Sequence, residues 1–182
     1  MRKALYILGI LDDGDASWLA TTGNARAIPA GTVIIHQGIP VDSVFILLDG
    51  QLEVYSGNVS IARLLAGEIV GEISFVDSRP PSASVKATVD SQVLAVPKNA
   101  LRAKLRKDLG FAARFYLSLA TFLADRLRLA DAHLTTGAIG VEGEEEDLDE
   151  LPADMLENIA LASARFDMIV KRLAARSAGN PS

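Results

Sequence analysis

The chain has 182 residues, of which 49% are hydrophobic and 23% charged, and its formal net charge is −5. This balance is typical of a globular domain with an appendage, and the negative charge argues against a sequence-independent nucleic-acid binder, which needs a basic face. The absence of cysteine excludes disulfides and thiolate metal sites, and two histidines, His36 and His133, are too few for a histidine-rich metal centre. We therefore expect no catalytic residues, no metal site and no enzyme.

Residues 1–24 are predicted to form an N-terminal helical segment. The apolar run Ala4–Leu11 has the length of a signal-peptide core, but acidic residues follow it and no small-residue cleavage site comes promptly. A short packing helix is the preferred interpretation. Asp15 is expected to cap the next helix, which carries Trp18. Because no run approaches the roughly 18–20 apolar residues of a membrane span, we expect a cytoplasmic protein without membrane insertion.

Residues 25–97 have the texture of short strands separated by glycine turns. The runs SVFILL and QLEVY are joined by Asp49-Gly50, a dipeptide that favours a tight hairpin turn. This hairpin would place Val44, Ile46 and Leu48 on one face, with Leu52 and Val54 returning along the partner strand. The segments TVIIHQG, SIARLL and SQVLAVP add further strands. Several such strands together predict a sandwich or a barrel-like roll.

Helices are predicted after Pro97. Apolar residues recur in steps of three and four over 98–135, and Gly110 is expected to separate a short helix from a longer one. Residues 136–152 are rich in glycine and acid, which predicts a flexible, solvated linker. A last amphipathic helix is predicted over 153–176.

The last helix carries an apolar seam with alternating steps of four and three. Such a seam is typical of a helix that pairs with another helix. We favour contact with a protein partner or a second copy, and packing on the chain's own domain is the alternative. The seam residues are Met155, Ile159, Ala162, Phe166, Ile169 and Leu173.

Four motifs in this order and spacing resemble the cyclic-nucleotide-binding domain family. They are PAGTVIIHQG, VFILLDGQLEVY, LLAGEIVGEISF and ASVKATVDSQVLAVPKNAL. The resemblance extends from about Leu11 to Leu129. It implies a mainly β fold with flanking helices: a double-stranded β-helix or jelly roll that holds a phosphate-binding cassette, followed by C-terminal helices that cap the ligand or dimerise. Only about fifty residues follow His133, and a winged helix-turn-helix cannot be placed in them.

The cassette begins at Gly71-Glu72. Gly71 is small enough for backbone to approach a ligand, and in the resembled family the glutamate at the position of Glu72 accepts a hydrogen bond from the ribose 2′-hydroxyl. Ile73 and Ser74 open a short helix whose first amides can face the phosphate. The family's small residues on the exit side match three further positions, whose amides and hydroxyls can bond the exocyclic oxygens. These are Ser82, Ala83 and Ser84.

The cassette departs from the family at Pro81, where the resemblance would place an arginine that pairs with the phosphate. A charge-assisted contact of this kind contributes about 1.5–3 kcal/mol, so its loss weakens binding about ten- to a hundredfold. Arg79 either takes over this role or is a surface arginine. A third interpretation is that the pocket accepts another ligand, such as a cyclic dinucleotide.

The helices after the roll supply candidates for a cap over the base: Phe122, Leu123 and Arg126. Packing on the roll or pairing of two subunits is the alternative for these residues. The leading hypothesis is a stand-alone regulatory sensor that binds a cyclic nucleotide, with cAMP as first candidate, and that signals to a protein partner or forms a homodimer. The alternative is a degenerate roll that acts as a ligand-independent interaction domain.

Overall fold

The structure is a computed structural model that describes residues 5–136 and 153–178. These residues form six helices and eight strands. The elements are α1 (Leu5–Ile10), α2 (Asp13–Thr22), β1 (Asn24–Ile28), β2 (Val33–Ile35), β3 (Ser43–Asp49), β4 (Gln51–Ser56), β5 (Val59–Leu65), β6 (Ile69–Val70), α3 (Ile73–Val76), β7 (Ser84–Ala87), β8 (Ser91–Pro97), α4 (Lys98–Lys107), α5 (Leu109–Thr136) and α6 (Ala153–Ala178). The predicted acidic linker over 136–152 lies, but for its first residue, outside the described residues.

The strands form two antiparallel four-stranded sheets. The first has the order β1-β8-β3-β6, and the second has the order β2-β7-β4-β5. Consecutive strands therefore alternate between the sheets, as in a jelly roll, except for β4 and β5, which pair within the second sheet. The predicted fold class, a mainly β jelly roll followed by C-terminal helices, is confirmed.

The predicted β3–β4 hairpin is wrong. Gly50 does adopt a positive φ of 92°, but β3 pairs with β6 and β8 while β4 pairs with β5 and β7. The Asp49-Gly50 turn passes the chain from one sheet to the other. A tight turn marks a change of direction, and the local sequence does not say whether the next strand pairs with the previous one.

Two apolar clusters lie on opposite faces of the first sheet. The roll core lies between the sheets, where Phe45 and Leu47 of β3 meet Leu52 and Val54 of β4. The helical core lies between the first sheet and the helices. It takes the alternate residues of β3, which are Val44, Ile46 and Leu48. Because β3 is buried on both faces, its sequence is a continuous apolar run.

Helix α2 is tied to α5 through its N-terminal cap. The N-cap is Asp12 rather than the expected Asp15, and Asp15 completes a capping box at the third helical position. The guanidinium of Arg114, on α5, donates to Asp15 at 2.6 and 3.0 Å and lies 2.8 Å from a carboxylate oxygen of Asp12. Burial raises the pKa of Asp15, but hydrogen bonds from Arg114 and from the Asp12 amide outweigh burial, and the net shift is downward.

Helices α4 and α5 are separated at Asp108, two residues before the predicted break at Gly110. Asp108 is extended, with φ −130° and ψ 97°. Its carboxylate accepts hydrogen bonds from the Phe111 amide at 2.9 Å and from the Lys104 ammonium at 2.8 Å. The aspartate thus caps the start of α5, and Gly110 is accommodated in the first turn.

The seam of α6 packs on the chain's own helices. Ala162, Ile169 and Leu173 are buried in the helical core, and Ile159 and Phe166 pack against it. The side chain of the sixth seam residue, Met155, lies outside the described part. Contact with a partner was therefore the wrong interpretation of this face, because α1 and α2 of the same chain cover it.

Arginines fix α6 to the ends of the first two helices. Arg165 donates to Asp13 at 2.8 Å and to two carbonyls in the last turn of α1 at 3.0 and 2.9 Å. Arg176 donates to the carbonyls of Ala20 and Thr21, at the end of α2, at 2.9 and 3.0 Å. The last carbonyls of a helix lack intrahelical partners, and these guanidinium groups satisfy several of them.

In the described ranges, no helix combines the length and the apolar character that a membrane crossing demands.

Candidate functional site

The cassette begins at Gly71, directly after β6. Gly71 has a φ of 85°, a conformation that favours glycine. A Cβ atom added there would lie 3.0 Å from the carbonyl oxygen of Ser43, at the start of β3. The sequence therefore needs glycine here both for the backbone turn and for the close approach to β3.

Glu72 follows as the N-cap residue of α3. Its side chain is only 3% exposed and makes no capping hydrogen bond to the helix. A second buried glutamate, Glu68, lies four residues earlier and accepts a hydrogen bond from the Leu65 amide at 2.8 Å. The two Gly-Glu pairs in LLAGEIVGEISF thus differ: the Glu68 carboxylate closes the β5–β6 turn, whereas Glu72 belongs to the cassette.

Ser74 connects α3 to α4. Its hydroxyl donates to the Gly71 carbonyl at 3.1 Å and accepts a hydrogen bond from the Lys98 ammonium at 2.8 Å. Lys98 is the first residue of α4 and is buried. Burial lowers the pKa of Lys98 and Arg102 lowers it further, while the carboxylates of Asp42, Glu72 and Asp77 oppose the shift.

Phe75 anchors α3 to the helical core. Its ring is buried and meets the ring of Phe115, on α5, edge to face at a centroid separation of 6.0 Å. The guanidinium of Arg102, on α4, lies 5.2 Å from the centre of the Phe75 ring. The first and last residues of α3, Ile73 and Val76, are exposed. Helix α3 therefore presents one face to the other helices and the opposite face to solvent.

The exit of the cassette lies at the surface. Ser78 has a φ of 59°, the one positive value among the described residues other than glycine. The amide of Arg79 donates to the Asp77 carboxylate at 2.9 Å, and the Arg79 side chain is exposed. The structure therefore does not bring Arg79 into contact with Gly71 or Glu72.

The last part of the cassette is fixed to the loop after β2. The Gly38 amide donates to the Pro81 carbonyl at 2.8 Å, and the Gln37 amide donates to the Ser84 hydroxyl at 3.0 Å. Ser82 is exposed, and Ala83 packs against the roll core. The Ser84 hydroxyl is therefore already engaged in positioning the exit strand.

The proposed base-cap residues lie on the helical side of the first sheet. Phe122 is 1% exposed within the helical core, and Leu123 packs against that core. The side chain of Arg126 lies outside the described part. A cap over a base by Phe122 or Leu123 would require α5 to move.

The sequence analysis did not identify the buried position of Lys98. It also did not identify the contacts that Gln37 and Gly38 make with the exit of the cassette. Lys98 follows Pro97 at the start of a basic, amphipathic helix, and nothing in the local pattern marks it as buried. Its contact with Ser74 spans 24 residues, which a reading of local periodicity does not detect. Among the described residues, no cluster of histidine, aspartate and glutamate has the arrangement of a metal site.

Residues 25–108 match the family model described as the cyclic nucleotide-binding domain. This match confirms the resemblance that the sequence motifs predicted. The structure of a cyclic nucleotide-binding domain from Methylobacillus flagellatus is similar, with a TM-score of 0.67, 22% identity, and coverage of 76% of this chain and 84% of that one. That likeness confirms the fold.

Curated relatives share about a third of the aligned residues. A cAMP-dependent protein kinase regulatory subunit of Hypocrea atroviridis is 30% identical over 96 residues, which are 53% of this chain and 21% of the relative. The cyclic AMP receptor protein of Thermus thermophilus is 32% identical over 114 residues, 60% of this chain and 51% of the relative. The chain thus spans between about a fifth and a half of the length of these relatives.

Proposed function

We propose that this chain is a regulatory sensor whose roll binds a cyclic nucleotide, with cAMP as the first candidate, and whose helices transmit occupancy. The observation that carries the proposal is the buried Glu72 carboxylate, which follows Gly71 in a segment of the cyclic nucleotide-binding family. The names of the two relatives described above support cAMP. The mechanism is a shift between two conformational populations, without a chemical step.

The chemistry of Glu72 fits a sugar hydroxyl. A carboxylate next to the site of an anionic phosphate is unfavourable unless a hydrogen-bond donor satisfies it. The ribose 2′-hydroxyl of a cyclic nucleotide is such a donor, and the hydrogen bond to an ionised acceptor is a strong one. The Gly71 backbone, held against β3, would fix the position of this carboxylate relative to the ligand.

Two buried glutamates allow a matched test by calorimetry with cAMP, cGMP and a cyclic dinucleotide. Glu72→Gln removes the ionised acceptor, and we expect cAMP affinity to fall about ten- to a hundredfold. Glu68→Gln changes the other buried glutamate, whose role in the β5–β6 turn predicts unchanged affinity. No binding of any of these ligands at near-millimolar concentration would refute the proposal, and binding of the dinucleotide alone would reassign the ligand.

Transmission to a second copy is supported by the exposed face of α5. Four large apolar residues on this long helix are exposed, with alanines between them. Their spacing places them along one stripe of the helix, and a stripe of this kind favours pairing with a like helix. The large residues are Leu109, Tyr116, Leu117 and Leu127. We propose that the occupant of this face is α5 of a second copy, which makes the sensor a homodimer.

Sedimentation of the full chain tests the homodimer. Leu117, 59% exposed, lies in the stripe, whereas Ile61, 55% exposed, lies on the outer face of β5. Leu117→Glu is expected to shift the dimer to monomer at micromolar concentration, because it places a charge in the apolar interface. Ile61→Glu should sediment like the wild type. A wild-type chain that is monomeric at high concentration would contradict the dimer.

A ligand-independent interaction domain is the second candidate function. The observation that favours it is the exit of the cassette, where Arg79 is exposed and Pro81 supplies neither charge nor an amide donor. This function predicts that no cyclic nucleotide raises the melting temperature of the wild type, and that Glu72→Ala does not weaken binding to a partner. A ligand-dependent rise in melting temperature would refute it.

A further inference from the structure

Lys98 is the one buried cationic side chain in the described part of the chain, with 5% exposure. Its ammonium donates to the Ser74 hydroxyl at 2.8 Å, and that hydroxyl donates to the Gly71 carbonyl at 3.1 Å. Its amide donates to the Asp42 carbonyl at 2.8 Å. Lys98 is therefore linked to the first residue of the cassette by two successive hydrogen bonds from behind α3.

The charges around Lys98 do not favour an added anion. The carboxylates that interact with it belong to Asp42, Glu72 and Asp77, and the one further cation in this set is Arg102 of α4. Arg102 is exposed and lies over the Phe75 ring. A cyclic phosphodiester bound at the cassette would add a negative charge, which leaves Lys98 as the buried charge of opposite sign.

An ammonium at this place needs counter-charges. Burial of a charged group is costly unless a counter-charge offsets it, and the hydrogen-bond acceptor of Lys98 is a neutral serine. A methionine would occupy a similar volume without this cost. The carboxylates of Asp42, Glu72 and Asp77 supply counter-charge in the free protein, and an arriving phosphate would add to it.

We propose that Lys98 is a positioning residue of the nucleotide site: through Ser74 it fixes the Gly71–Ser74 segment, and its charge favours an anionic ligand. This inference rests on the proposed function. Lys98 acts from behind the cassette, through Ser74 and through the field of its charge. An exposed arginine at position 79 is then not required for the selection of an anion.

Calorimetric titration of cAMP into Lys98→Met, Lys98→Arg and the wild type tests the inference. We expect Lys98→Met to weaken binding about tenfold or more, because it removes the charge while filling the space. Lys98→Arg, which keeps the charge, should recover most of the affinity. Binding of Lys98→Met within about twofold of the wild type would overturn the inference.

The pH profile separates a charge from mere packing. Burial lowers the pKa of Lys98, and a bound anion favours its charged form, so affinity is full below the pKa of the free protein and falls as the pH rises above it. Wild-type affinity should therefore decline as the pH rises, beginning below the ordinary lysine pKa of about 10.4. Both variants should be flat over this range, because neither Met nor Arg titrates there. A wild-type slope that persists in Lys98→Met would overturn the role of the charge.

Ser74→Ala provides a second variant if Lys98→Met does not fold. It breaks the bridge to Gly71 but leaves the ammonium, so we expect a several-fold loss of affinity with the pH slope retained. Unchanged affinity in Ser74→Ala would overturn the positioning role. Failure of the wild type to bind any cyclic nucleotide would refute the proposed function, and this inference with it. Binding by the wild type without an effect of any variant would refute the inference alone.

Discussion

The two halves of the cassette differ in how firmly the rest of the protein holds them. The entry half, Gly71–Phe75, is held by β3, α4 and α5 through the close approach at Ser43, the Lys98–Ser74 bond and the Phe75–Phe115 contact. The exit half, 77–82, is largely exposed and contains a serine with positive φ and two prolines. The half that would meet the ribose and the phosphate is thus built into the fold, whereas the half that carries Arg79 and Pro81 lies in a surface loop.

This difference indicates where recognition is pre-organised. Fixed groups bind without loss of conformational freedom, whereas a loop that closes on its ligand must first be ordered. We therefore expect substitutions in the entry half to change stability and affinity strongly. Substitutions in the exit half should have small effects unless the loop closes on the ligand.

The largest effect is expected for Phe75→Ala. Phe75 is buried against Phe115 and beneath Arg102, and the free energy of unfolding should fall by about 3–5 kcal/mol, the usual cost of truncating a buried phenylalanine. Val76→Ala, at the exposed neighbouring position, should cost about 0.5 kcal/mol or less. Denaturant unfolding of both variants measures the contrast. Equal losses would show that α3 is not anchored by Phe75.

The next effect is that of Gly71→Ala. Positive φ alone costs an alanine about 1–2 kcal/mol, and the contact at 3.0 Å with the Ser43 carbonyl adds to it. Gly38→Ala is the control, because Gly38 also has positive φ, at 77°, but has open space around it. We expect Gly71→Ala to lower the free energy of unfolding by about 1 kcal/mol more than Gly38→Ala does. The opposite order would contradict the close packing of the entry half.

Ser78→Gly tests the strain in the exit half. A non-glycine residue at a φ of 59° is unfavourable, and glycine removes this cost. Glycine also raises the backbone entropy of the unfolded chain, which opposes part of the gain in stability. The net expectation is a gain in stability of about 0.5 kcal/mol. The neighbouring exposed Ser82→Gly, outside a position of positive φ, should instead be neutral or destabilising. A loss of stability in Ser78→Gly would show that the serine side chain contributes to the loop.

The smallest effect is expected for Arg79→Ala. Because the Arg79 side chain is exposed, we expect neither the equilibrium constant for unfolding nor the cAMP affinity to change by more than about twofold. Arg63→Ala, an exposed arginine on β5, is the control for loss of positive charge at the surface. A tenfold loss of affinity in Arg79→Ala alone would show that the exit half closes and carries Arg79 to the phosphate.

Local sequence patterns predicted much of the roll and the start of the cassette. Alternating apolar residues and glycine turns identified the strand region, and the resemblance to the family proposed Gly71-Glu72 as the start of the cassette. The pairing of β3 was beyond such patterns, because VFILL is apolar at every position and fits either sheet. The α6 seam shows the same limit: its periodicity predicts a buried face, but the covering helices, α1 and α2, are more than a hundred residues away in sequence.

The residues of the candidate site could likewise be predicted only in part. Glu72 could be proposed as a ligand residue because a carboxylate next to a phosphate site calls for a hydroxyl donor, and this role stays a prediction. Lys98 could not, because a lysine at the start of a helix is ordinarily solvated, and only the three-dimensional contact with Ser74 shows that it is buried. Phe122 was assigned to a cap from its place on α5, and the fold instead buries it in the helical core.

A crystal structure of the chain grown with saturating cAMP tests the central claim most directly. We predict one nucleotide in the roll, with its 2′-hydroxyl within hydrogen-bond distance of the Glu72 carboxylate and its phosphate beside the Gly71–Ser74 segment. Lys98 should keep its bond to Ser74. An empty cassette, or a nucleotide bound elsewhere with Glu72 turned away from it, would contradict the account.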